Sequence, residues 1–117
     1  MAISKYSVVE AGNLGLGQSG SIFTDTDGTI KPPTGTVFVA ITFLDDTTLD
    51  TSGGLVAEDS ALYANTEAAA HSSTQSTTSG TGGDQIDVSN TFPAGVTIFG
   101  RWTEINLDAG LIIAYIG

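Results

Sequence analysis

The stretch GLGQSG, Gly15 to Gly20, has the G-x-G-x-x-G spacing with which a backbone loop cradles a dinucleotide's phosphates. That chemistry needs a strand before the loop, a helix opening on it, and an acid about 20 residues further on for the ribose. Here the loop is followed by SIFT, a β-prone run, and Ala40 stands where the acid would be. A P-loop fails as well: Gly15 and Gly20 are correctly spaced, but Ser21 occupies the lysine position. In a chain with 15 glycines the stretch reads as a flexible or close-packed turn.

The carboxylates offer metal chemistry next. Asp25 and Asp27, followed by Gly28, resemble part of a calcium loop. Setting them at the third and fifth loop positions puts Phe23 first and Thr34 last, and neither is a proper ligand, so this is no EF-hand. Asp45, Asp46 and Asp50 could gather a hard cation, but solvated turn carboxylates are the simpler reading. The sole histidine, His71, lies in a polar low-complexity stretch without the packing a Ser-His-Asp triad requires. Glycoside hydrolysis needs a selected carboxylate pair, and no motif selects one from the thirteen acids. No catalytic, cofactor-binding or metal residues are assigned, and the chain reads as a non-enzyme.

Arg101, between Gly100 and Trp102, is the only arginine. It could contact a carboxylate on a partner. A cross-strand ion pair or a stack on an aromatic ring is the favoured alternative. Trp102 reads as core or subunit interface, because Val96 and Ile98 on its face are apolar.

The elements that must position these residues are mostly strands. The chain has 117 residues, a length that suits a single domain. Its polar content is chiefly uncharged Thr, Ser, Asn and Gln, with only 14% charged residues. That balance predicts an all-β fold: a compact antiparallel β-sandwich or β-barrel, jelly-roll-like, with at most one short helix near 55–69. The apolar segment VFVAITFL predicts a central strand, with Val37, Val39, Ile41 and Phe43 on one face and Phe38, Ala40 and Leu44 on the other. Asp27-Gly28 predicts a hairpin joining strands at 21–24 and 29–31. KYSVVEAG and DQIDVSN read as short strands, the latter with Ile86 and Val88 on one side. In the segment after Phe92, Val96, Ile98 and Trp102 share one face, and Phe99 and Arg101 the other. LIIAYIG reads as an interior strand, apolar on both faces. The Ser/Thr/Gly-rich residues 71–85 read as a polar loop or arm.

Net charge is −10, from thirteen acids against Lys5, Lys31 and Arg101. Without a basic patch, neither nucleic acid nor an anionic membrane is an expected partner. With no cysteine there is no disulfide, thiolate metal site or thiol nucleophile. The first residues lack the apolar core of a secretory signal, and no apolar run approaches the roughly 18 residues of a membrane span.

The segments PPTGTVFVAITFLDDTTLD, GGLVAED and FPAGVTIFGRWTEINLDAGLIIAYIG resemble small virion proteins of tailed bacteriophages, notably those of marine bacteria and cyanobacteria. The likeness covers residues 30–63 and 92–117. It implies a capsid decoration, or cement, protein made in the host cytoplasm and seated on the capsid surface. Its implied partner is the major capsid protein lattice, which it stabilises as a homotrimer. The candidate interface is Trp102, Arg101, Ile113, Tyr115 and Ile116. An alternative is an adhesin on a tail or capsid spike, with Tyr63 and Phe92 as its glycan platform.

Overall fold

The computed structural model describes residues 17–67 and 83–117. The expected strand KYSVVEAG, His71 and most of the expected polar arm lie outside the described residues.

Among the described residues seven strands run in the order β1 (Ser21–Thr24), β2 (Thr29–Ile30), β3 (Phe38–Phe43), β4 (Thr48–Leu49), β5 (Leu55–Ala57), β6 (Thr97–Ala109) and β7 (Ile112–Ile116). Every named pairing is antiparallel. The fold is therefore all-β, as the composition predicts, with one sheet nearly closed into a barrel. The 13-residue β6 is its spine. Trp102 lies between Phe38 of β3 and Ala57 of β5, and Ile105 lies between Ile30 of β2 and Leu55 of β5. One flank of β6 thus carries β3 and then β2, and the other carries β5 and then β4. β7 pairs with the far edge of β3, and β1 with the far edge of β7. The interior placement expected for β3 and β7 holds.

The hairpin does not form. Ser21–Thr24 and Thr29–Ile30 are both strands, and Gly28 bends the chain between them with a positive φ. β1, however, pairs with β7, and β2 with β6. The turn residues redirect the chain, but the partner that can cover Ile22 is the apolar β7.

The alternation in β3 is also broken. Phe38, Ala40, Ile41 and Phe43 are all buried, while Val39 and Thr42 are half-buried. Register shifts between Phe38 and Ala40, against both β6 and β7, bring Phe38, Ile41 and Phe43 to the same core face, while Ala40 is buried on the opposite face. An extra residue in a ladder turns every later side chain to the opposite face. A second shift, opposite Val56 and Ala57, does the same in β6. Trp102 points inward before it, and Ile105 and Leu107 after it. Ile98 packs against the core beside Trp102 as expected, but Val96 lies outside the strand and is exposed.

No helix occurs among the described residues. The segment from Leu55 starts as β5 and continues as turns, where Leu62 and Tyr63 donate their amides to the Asp59 carbonyl. Asn65 and Thr66, which interrupt the helical pattern, organise this region instead. The buried Asn65 donates Nδ2 to the carbonyls of Ser60 (3.1 Å) and Tyr63 (2.7 Å) and accepts the Glu67 amide (2.8 Å). Thr66 accepts the Leu55 amide through Oγ1 (2.9 Å) and donates its own amide to the Leu55 carbonyl (2.9 Å). Side chains that bond nearby backbone compete with the helix for those same groups. DQIDVSN is no strand either: Asp87 to Asn90 form a turn, Ile86 packs against the core, and Val88 is exposed.

Candidate interface: an uncharged sheet face

The pairing register aligns side chains across four strands. Ile22, Ala114, Ile41 and Ile98 form a row on the core face. The adjacent rows, Ser21–Tyr115–Ala40–Phe99 and Phe23–Ile113–Thr42–Thr97, lie on the outer face. Neither outer row holds a charged side chain, although the chain carries thirteen acids. Phe99 is 77% exposed and Phe23 is 55% exposed. Leu44 and Leu111, joined by a 3.0 Å backbone hydrogen bond, continue the alternation at one end. On the β3–β6 side of the face, the Thr42 and Thr97 hydroxyls share a 2.8 Å hydrogen bond.

The five residues expected at an interface separate into three environments. Ile113 and Tyr115 lie half-buried on this outer face. Trp102 and Ile116 are core residues, not surface ones. The Trp102 ring sits over Gly100, and its Nε1 donates to the Ala64 carbonyl at 2.8 Å. Arg101 forms the ion pair the sequence favoured. Its Nε and Nη2 reach the two Glu58 carboxylate oxygens at 2.7 and 2.8 Å. This fork of charge-assisted bonds ties the residue after β5 to β6. Being partly exposed, it contributes no more than about 1 kcal/mol.

Phe99 and Phe23 escaped the sequence reading as interface residues. The signal for Phe99 was present, since period two sets it opposite Trp102. Phe23 comes onto the same face only through the β1–β7–β3–β6 pairings.

The remaining candidate residues are accounted for locally. The amide of Gly20 donates to the carbonyl of Gly17, closing a turn that leads into β1 rather than into a helix. Gly17 has a φ of +72° and lies against the Tyr115 ring, where a Cβ would meet the ring at 3.4 Å. Gly17 and Gly20 thus serve a tight turn and close packing, and Gly15 lies outside the described residues. Asp45 accepts the Asp46 amide, and Asp46 accepts the Ala94 amide, so both carboxylates brace their turns. Among the described residues no group of three or more His, Cys, Asp or Glu is arranged to hold a metal ion. Tyr63 and Phe92 are partly buried against the core, and Phe92 stacks on Phe43 with ring centroids 4.6 Å apart.

Comparison with protein-family models, curated proteins and solved structures finds no match for this chain.

Asp50 feels Asp27 and Asp108 rather than Asp45 and Asp46. Desolvation first, and then these two carboxylates, raise its pKa above the ordinary value. A carboxyl whose folded pKa is raised favours the folded state when protonated, so its unfavourable contribution grows as pH rises through that pKa. Asp50→Asn should therefore melt above the parent protein at pH 7. The gap should close as pH falls below the ordinary carboxylate range, where both proteins are neutral at this position. Thermal melts of the two proteins across pH 3–7 check this, and a gap that widens on acidification would contradict it.

Proposed function

We propose that this chain is a structural protein of a tailed-phage virion: a capsid decoration protein that binds the major capsid protein lattice as a homo-oligomer and stabilises the head. The observation that carries the reading is the exposed, uncharged outer face on a strongly acidic chain. Such a face is suited to being covered by protein. The phage-like segments support it, because residues 92–117 contain β6 and β7 and residues 30–63 contain β3, β4 and β5. The likeness therefore falls on the strands around the spine.

Decoration would act by multivalency. Each copy contributes modest contacts, and several copies on one lattice raise the avidity well beyond any one of them. Binding the assembled lattice better than free capsomers shifts the equilibrium toward the shell. The acidic surface outside the uncharged face keeps decorated particles apart. Neither nucleic acid nor membrane is a partner in this reading. The adhesin alternative loses the platform expected of it, because Tyr63 and Phe92 turn toward the core.

The experiment heats purified phage shells with and without the protein. The expected result is cosedimentation with the shells and a higher disruption temperature. Unchanged shells together with binding to host glycans would transfer the function to the adhesin.

A further inference from the structure

We propose that the uncharged outer face of β1, β7, β3 and β6 is a two-fold interface between two copies of this chain, with Phe99 of each copy seated over Phe23 of the other. The proposal rests on the face alone and stands whether or not the chain decorates a capsid.

Charge selects the occupant. Two copies at −10 repel each other wherever their acids face, and the paired outer rows are a place where that repulsion is absent. A basic partner would be drawn to carboxylates, and these rows have none. An uncharged face is matched by an uncharged face, and a second copy supplies one.

Shape agrees. Phe99 and Phe23 stand at diagonal corners, separated by three strand spacings and one two-residue step, roughly 14 Å by 7 Å. Between them lie the larger Tyr115 and Ile113 of β7 and the smaller Ala40 and Thr42 of β3, and the two-fold axis described next sets the β7 pair of one copy over the β3 pair of the other. A two-fold axis in the contact plane, perpendicular to the line joining the two rings, carries each ring onto the other copy's opposite corner. Closed two-fold contacts are self-complementary in this way.

The Thr42–Thr97 side of the face tolerates drying. One proton of the Thr42–Thr97 hydroxyl pair is already committed within the chain at 2.8 Å. That lowers the cost of removing water from the two hydroxyls.

Size sets the strength. Four strands and two side-chain rows cover roughly 19 Å by 14 Å, about 270 Å² in projection. A standard interface buries roughly 800 Å² per partner. The association should therefore be reversible and concentration-dependent. A two-fold contact gives two chains, in contrast to the trimer that the phage resemblance implies.

The test is sedimentation over a concentration series. The parent protein should rise from the mass of one chain toward that of two. Phe99→Asp should stay at one chain throughout, with the parent's circular dichroism and melting temperature, because the position is exposed. Phe99→Leu should retain association. The cysteine-free chain permits a second measurement. Mixed Phe99→Cys and Phe23→Cys proteins should form the mixed disulfide in preference to either homodisulfide. A mass of three chains, a parent that remains monomeric at the highest concentration, a Phe99→Asp variant that associates like the parent, or a random distribution of disulfides would each overturn the proposal.

Discussion

Trp102→Ala is expected to lower the melting temperature by roughly 12–20 °C, at about 4 °C per kcal/mol, or to leave the protein unfolded. The ring is 2% exposed and lies where β3, β5 and β6 meet, opposite Phe38 on one side and Ala57 on the other. Truncating a buried tryptophan costs roughly 3–5 kcal/mol. A domain's whole stability is about 5–15 kcal/mol. The loss also removes the Nε1 bond that ties the Ala64 carbonyl to the sheet. Trp102→Phe separates the two contributions. It keeps a ring over Gly100 and loses the hydrogen bond, so it should fall between the parent and the alanine variant. Thermal unfolding followed by circular dichroism reads all three. An alanine variant that melts with the parent would refute the assignment of Trp102 to the core.

Gly54→Ala is the second large effect. A Cβ at Gly54 would overlap the carbonyl oxygen of Asp50 and crowd its backbone nitrogen and carbon. These are backbone atoms, so no rotamer change relieves the overlap. The loop between β4 and β5 is pinned at both ends to one residue of the spine. Asp50 donates its amide to the Asn106 carbonyl at 3.1 Å, and the Asn106 amide donates to the Gly54 carbonyl at 2.9 Å. Making room means breaking at least one of those bonds. Overpacking costs roughly 1–3 kcal/mol where side chains can shift, so a loss of about 3 kcal/mol or more is expected here. Gly95→Ala is the control. Its Cβ meets nothing within 4 Å, and only the positive φ opposes it, at about 1–2 kcal/mol. Urea unfolding midpoints compare the two, and equal losses would show that the Asp50 contact is not the cause.

The strands were legible where apolar residues run long enough to show a period. β3 and β7 appear in the sequence as such runs, and their interior placement follows from the scarcity of polar side chains along them, while β6 shows instead as an alternation of apolar and polar residues. The bulges were not legible. A single extra residue near Val39 leaves no mark in composition, yet it decides that Phe38 and Ile41, three positions apart, both face the core. Local turn chemistry misled at Asp27-Gly28, because β1 is stabilised by β7, a strand distant in the chain. Asn65 and Thr66 signalled correctly that a helix is interrupted, but not that their side chains would be the buried clamps of a turn. The outer face was half legible. Period two sets Phe99 outward from Trp102, but only the ladder register reveals that the strands beside it also present uncharged side chains there.

The position of β7 governs when the chain can fold. β7 comprises residues 112–116, late in the chain order, yet it sits between β3 and β1 and joins them. The spine emerges only shortly before it, and its partners lie at positions 29–57, so most ladders close across long stretches of chain. Such topologies fold on the millisecond-to-second scale rather than in microseconds. Until β7 emerges, β1 lacks its partner and the apolar edge of β3 is bare, a condition that invites aggregation. A chain cut short before residue 112 should therefore fail to reach the native state, because it lacks the strand that joins β1 to β3.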